Sequence, residues 1–246
     1  MIVCIDAGNS RIKWGVHDGR SWCEQGAVAH AEFAQLGGLC QRWPQPVRLM
    51  LANVAGPALG QQIVQALAPW AGVLQVVEST ARGGGITNLY ENPGRLGVDR
   101  WCALIGARSQ GQTARLVVMA GTATTIDSLD AGGNFVGGLI LPGIDLMRRA
   151  LARDTAALPL AAGKHAAFPR STDDAIVTGC IEAQVGAIER AFARLAASDA
   201  SCLLSGGHAG LLSPCLVIPH VLAHNLPLEG LLQLALESCP MSRETQ

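Results

Sequence analysis

The chain opens Met1-Ile-Val-Cys-Ile-Asp-Ala-Gly-Asn-Ser-Arg-Ile-Lys-Trp-Gly-Val16, and this stretch decides the expected architecture. Met1 to Ile5 is an unbroken apolar run, as a strand buried on both faces requires. Asp6, Ala7, Gly8, Asn9 and Ser10 form a tight turn, and Arg11 to Val16 return as a second strand. The same plan recurs from Arg115 to Leu129. There Leu116, Val117 and Val118 lead into Met119-Ala-Gly-Thr-Ala-Thr-Thr-Ile-Asp127, placing Gly121 where Gly8 stood, 113 residues further on. A repeat at nearly half the length of a 246-residue chain predicts two related halves, 1–112 and 113–246, with a cleft between them.

Working outward, strands and helices alternate as in an α/β fold. A helix is expected near Ala31 to Trp43, a strand at Val47 to Val54, a helix at Pro57 to Ala68, a strand at Val73 to Val77 and helix-forming sequence from Trp101. In the second half, Val177, Ile181, Val185, Ile188, Phe192 and Leu195 recur at spacings of three and four. They form one apolar stripe, suited to a core or a subunit interface. Short strands at Cys202 to Leu204 and Leu216 to Ile218 precede a helix from Leu228 to Leu236. Leu151 to Ala167, rich in alanine, is the expected mobile connection.

Composition excludes several classes of function. Eighteen basic side chains against 19 acidic ones, with 15% charged residues, supply no bulk electrostatic grip on nucleic acid. No apolar run reaches the ~20 residues of a membrane span. Asp6, Arg11 and Lys13 interrupt the N-terminal stretch where a signal peptide would need an apolar segment, so a cytoplasmic location is expected. The eight cysteines (4, 23, 40, 102, 180, 202, 215 and 239) include no CxxC pair and read as reduced, mostly buried thiols. The histidines show no metal-ligand spacing and read as surface or satisfied core residues.

Two glycine turns, each after an apolar strand, are candidates for gripping phosphate. Gly8 admits close approach of backbone N–H groups, Asn9 and Ser10 add donors, and Asp6 is an oxygen ligand suited to the Mg²⁺ that accompanies a nucleotide. Alone, Asp6 to Lys13 is equally an ordinary hairpin turn. The second copy, in which Gly121 precedes hydroxyls at Thr122, Thr124 and Thr125, favours polyphosphate binding. Ser205-Gly206-Gly207 follows another apolar strand and would let the backbone pass close to a base or sugar. The chain contains no GxxxxGK[ST] and no GxGxxG, so the grip differs from a P-loop or Rossmann site. Asp99, ahead of the helix, is either its N-cap or a general base for an alcohol, with Arg100 holding a substrate oxygen or carboxylate. Glu229 reads as a helix-start residue.

These motifs together resemble the type III pantothenate kinases, bacterial members of the acetate kinase, sugar kinase, Hsp70 and actin superfold. The carriers are Asp6-Ala-Gly-Asn-Ser-Arg-Ile-Lys13, Tyr90-x-x-Pro93 with Leu96-Gly97-Val98-Asp99-Arg100, and Gly121-Thr122-Ala123-Thr124-Thr125. Gly137-Gly138, Pro142-Gly143, Thr172-Asp-Asp-Ala-Ile176, Ser205-Gly206-Gly207 and Leu228-Glu229-Gly230-Leu231 extend the match along the chain. The resemblance implies two ribonuclease H-like lobes of the actin-like ATPase superfold and ATP-dependent phosphorylation of pantothenate. It assigns Asp99 as catalytic base and Tyr90, Gly97, Val98, Arg100 and Thr172 to pantothenate. It assigns Asp6, Ala7, Gly8, Asn9, Ser10, Arg11, Ile12, Lys13, Gly121 and Thr122 to ATP phosphates, with Asp6 also on Mg²⁺, and Gly206 and Gly207 to adenosine. It further implies a homodimer and an activating K⁺ or NH₄⁺. At the position where the family commonly carries an aspartate for that cation, this chain has Met119, a soft neutral ligand. A catalytically inactive nucleotide-binding regulator, or a kinase for another small hydroxylated acceptor, are the alternatives.

Overall fold

The computed structural model describes residues 1–237. It divides into two units, the first comprising Met1–Gly111 joined by the C-terminal helix Leu226–Glu237, the second Gln112–Asn225. The division thus differs from contiguous halves split at residue 112: the last helix returns to the first unit.

In the first unit, β1 (Ile2–Ala7) is buried at every position and lies mid-sheet, as its continuous apolar sequence requires. It pairs antiparallel with β2 (Arg11–His17), and β2 with β3 (Trp22–Ala29). A 3₁₀ segment, His30–Leu36, and a short α1 (Gly37–Arg42) replace the single helix expected there. β4 (Arg48–Asn53) lies parallel to β1 on its other side. After α2 (Pro57–Ala66), which proline opens at its first position, β5 (Leu74–Val76) adds parallel to β4. The sheet order is β3-β2-β1-β4-β5. A small hairpin, β6 (Arg82–Gly83) with β7 (Ile86–Asn88), leads to α3 (Val98–Ser109).

The second unit repeats this topology. β8 (Arg115–Ala120) pairs antiparallel with β9 (Ala123–Leu129), and β9 with β10 (Asn134–Pro142). Two helices, α4 (Ile144–Asp154) and α5 (Thr172–Leu195), precede β11 (Ser201–Ser205), which is parallel to β8. After α6 (Ala209–Leu212), β12 (His220–Leu222) pairs parallel to β11. The strand order β10-β9-β8-β11-β12 matches that of the first unit element for element. The related-halves reading therefore holds at the level of topology.

Three local expectations are corrected. Leu216 to Ile218 is not a strand, because Ser213–Cys215 forms a 3₁₀ turn and pairing begins only after Pro219, whose carbonyl accepts from Cys202 N. The expected connection from Leu151 starts as helix, since α4 runs to Asp154. The α5 stripe belongs to its own unit's core: Ile181, Val185 and Ile188 pack with Leu116, Val118 and Leu204, and Val177, Phe192 and Leu195 flank them. That stripe is therefore no argument for a subunit interface. Ser171 caps α5, its hydroxyl accepting from Asp174 N at 3.1 Å. The seven described cysteines are free thiols, four of them buried, and Cys239 lies outside the described residues.

Candidate active site

The first unit gathers Asp6, Lys13, Tyr90 and Gly97 to Arg100. Asp6 sits at the end of β1, opposite Lys13 in the β1–β2 register. It is only 7% exposed, and its Oδ1 has no hydrogen-bond partner. Burial first, then the negative charge of Asp99, push its carboxyl up to about 7, against the pull of Lys13. An orphaned, desolvated carboxylate oxygen fits a divalent cation, whose charge would stabilise the ionised form.

The turn beyond Asp6 is closed by its own backbone. Gly8 N–H donates to Arg11 O at 3.1 Å, so it is already spent, and the exposed Asn9 and Ser10 form the tip. Arg11 donates to Ala27 O at 3.1 Å, and His30 Nε2 lies 2.8 Å from Gly8 O. Ala7 and Ile12 are buried in the core, so their side chains are not available to a ligand.

Asp99 is not the helix N-cap. Gly97 occupies that position without a side-chain bond, and Asp99 lies within the first turn of α3, where its Oδ1 accepts from Arg100 N at 2.9 Å. Burial raises its carboxyl above the ordinary range, opposed by that amide and by the Arg100 charge. Asp6 and Asp99 also both help raise the buried Cys102 thiol, which places the two carboxylates within electrostatic reach of one α3 side chain. A Cβ on Gly97 would stand 2.7 Å from Asp99 Oδ1, so the missing side chain makes room for the carboxylate. Arg100 is 5% exposed, donates to Tyr90 Oη at 3.0 Å and stacks over the Tyr90 ring with its guanidinium carbon 5.6 Å from the centroid. Val98 is half-buried beside them.

The second unit brings Gly121, Thr122, Gly206 and Gly207 to one end of β8. Gly121 N–H bonds to Met119 O and Ala123 O, leaving exposed Thr122 at the tip. Thr124 and Thr125 are buried within β9 rather than exposed at that tip. Gly206 has φ +103°, and a Cβ there would run into the Ala120 backbone, so only glycine lets this loop close on β8. Open space surrounds Gly207. Thr172 lies elsewhere in this unit, at the exposed start of α5, lining a largely apolar groove of about 1010 Å³ with Pro142, Met147, Leu151 and Ile176.

Two contacts escaped sequence reasoning because nothing local announces them. His30 is 22 residues from Gly8 in sequence, and His208 Nε2 reaches Asp145 Oδ2 at 3.1 Å across 63 residues. Met119 is half-buried, in register with Thr125 and Ser205. Its thioether does not fit a hard monovalent cation.

The type III pantothenate kinase family profile matches residues 2–194. A type III pantothenate kinase of Dechloromonas aromatica (strain RCB) is 63% identical over 238 residues, spanning 97% of this chain and all of that one. A type III pantothenate kinase of Aromatoleum aromaticum is 51% identical, spanning 96% of this chain and 98% of its own length. Among solved structures, a Sinorhizobium meliloti protein described as a 2-dehydro-3-deoxygalactonokinase superposes with a TM-score of 0.62 at 16% identity, covering 98% of this chain and 100% of that one. That likeness concerns fold alone, which this chain shares with sugar kinases and actin-like proteins. Matched along nearly its whole length, the chain belongs to the type III pantothenate kinase family.

Proposed function

We propose that the chain phosphorylates the primary alcohol of pantothenate with ATP, yielding 4′-phosphopantothenate in the first step of coenzyme A synthesis. Full-length identity with type III pantothenate kinases carries the reading. The pairing of Asp6 with Asp99 in one unit supports the chemistry.

Phosphoryl transfer proceeds through a loose, in-line transition state, so the protein's work is positioning and charge neutralisation. In this reading Asp99 accepts the alcohol proton late in transfer. Its raised basicity suits a group that must take a proton near neutral pH. Arg100 and Tyr90, locked by their mutual hydrogen bond and stacking, orient pantothenate, with Gly97 and Val98 forming the adjacent wall. The tip of the Asp6 to Lys13 hairpin and the turn at Gly121 and Thr122 hold phosphates, and the open face at Gly206 and Gly207 takes adenosine. Asp6 would hold a divalent cation, assigned as Mg²⁺, which when bound would neutralise phosphate charge. No K⁺ site is derived at Met119. Thr172 completes the pantothenate pocket in a homodimer, and the enzyme works in the cytoplasm. Among the described residues, no helix is long and apolar enough to cross a membrane.

The test is a coupled assay of purified chain with ATP, Mg²⁺ and pantothenate, with and without K⁺ or NH₄⁺. Phosphopantothenate forms under the proposal. Its absence under every condition would leave a nucleotide-binding regulator, and preference for a competing acceptor would redirect the substrate.

A further inference from the structure

We propose that His30 is a positioning residue for ATP, acting by aiming the backbone N–H of Asn9 at phosphate. The inference rests on reading the Asp6 to Lys13 hairpin as a phosphate grip. His30 Nε2 lies 2.8 Å from Gly8 O, and because a carbonyl only accepts, Nε2 carries the proton and donates. The carbonyl it holds belongs to the same planar unit as Asn9 N–H. In a trans peptide the two point in opposite directions, so pinning Gly8 C=O on one side fixes Asn9 N–H on the other.

This control matters because the neighbouring donor is unavailable. Gly8 N–H is bonded to Arg11 O, so the next amide along the turn, that of Asn9, is the one the restrained peptide aims. Glycine also leaves the 8–9 peptide free to rotate unless something outside the turn restrains it. The restraint comes from the edge strand. Arg11 donates to Ala27 O on β3, and His30 follows directly on β3's last residue, Ala29. Glu32 accepts from Ala29 N at 3.3 Å and steadies the start of the segment that carries the imidazole. β3 and His30 thus brace the hairpin from both ends.

The experiment compares wild type with His30→Phe, which keeps bulk without a donor, with His30→Ala, and with His30→Gln, whose side-chain amide restores an N–H donor. ATP affinity is read by calorimetry with a non-hydrolysable ATP analogue and Mg²⁺, alongside KM for ATP, KM for pantothenate and kcat. Loss of one hydrogen bond predicts an ATP affinity about 3- to 10-fold weaker in the Phe and Ala variants. KM for pantothenate stays unchanged, and the Gln variant recovers most of the affinity. Wild-type ATP affinity in the Phe variant, or equal loss in Phe and Gln, overturns the inference while leaving the kinase reading intact. Failure of the wild type to bind the analogue overturns the phosphate-grip reading and this inference with it. Binding without phosphopantothenate formation overturns only the kinase reading.

Discussion

Asp6→Asn should stabilise the ligand-free first unit at neutral pH while destroying activity. The folded chain keeps a proton on Asp6 up to about 7, whereas the unfolded chain releases it near 3.8. Below 3.8 both states are protonated and the group costs nothing. Between the two values the folded state binds the extra proton, so stability falls as pH rises, and above about 7 the full cost is present. That displacement corresponds to about 4 kcal/mol. The pull of Lys13 is already contained in that value, so a gap of about 4 kcal/mol should open between variant and wild type from pH 4 to pH 8. Asn forfeits no bond at Oδ1, which has no partner. The assay is convenient: Trp14, Trp22, Trp43, Trp70 and Trp101 all lie in the first unit, so tryptophan fluorescence during urea unfolding reports on that unit. Mg²⁺ with ATP should reduce the wild-type deficit at pH 8, since a cation bound to the carboxylate favours its ionised form. A stability difference that stays flat from pH 4 to pH 8 would show that Asp6 titrates normally, and the desolvated-ligand account would fail.

Asp99→Asn should lower kcat by about 10²–10⁴-fold with the fold intact, and near-normal turnover would exclude it as the base. Gly97→Ala accommodates the helix-compatible φ of −56° but crowds the Asp99 carboxylate. Stability should change little while kcat drops roughly 10- to 100-fold, and an unchanged kcat would free the carboxylate from any need for that position. Gly206→Ala forces both a strained φ and an overlap with Ala120, so it should lower Tm and weaken ATP binding together; normal values for both would rule out the close approach. Exchanging Na⁺ for K⁺ should leave the rate unchanged, because Met119 supplies no hard ligand, and clear K⁺ activation would place a cation site on other residues.

The parts legible in sequence are those set by local pattern. The β1–β2 hairpin was readable because an unbroken apolar run meets a turn-forming pentapeptide, and its recurrence at Gly121 exposed the duplicated topology. The length of α5 follows from its apolar spacing and the Ser171 cap. β3 was missed because it is an edge strand with alternating exposure, so Glu24, Gln25 and Gly26 dilute its apolar signal. The strand register after Pro219 depends on which N–H groups can pair with β11, and periodicity carries no such information. Asp99 is instructive for the opposite reason. Its residue type suited a cap, yet Gly97 takes that place, and the carboxylate is left one step inside the helix, raised in pKa and adjacent to Arg100.

The return of the C-terminal helix to the first unit links chain connectivity to the chemistry. By its place after the fifth strand of the repeated topology, this helix corresponds to α3, yet it packs against α3 rather than against its own half. The contact is at backbone level: a Cβ on Gly230 would overlap the Cys102 carbonyl. Glu229, expected merely to start the helix, accepts from Trp22 Nε1 at 2.8 Å, and Glu237 accepts from Gly84 N at 3.0 Å. The last helix therefore holds the edge strand that precedes His30, the hairpin that leads to Tyr90, and the helix whose first turn bears Asp99. None of its residues is assigned to substrate, yet it grips elements that carry the phosphate turn's brace, the pantothenate wall and the base. A sequence motif such as Leu228-Glu229-Gly230-Leu231 thus acquires a physical reason. Gly230 permits the approach and Glu229 ties it down, so the end of the chain sets the position of groups encoded more than a hundred residues earlier.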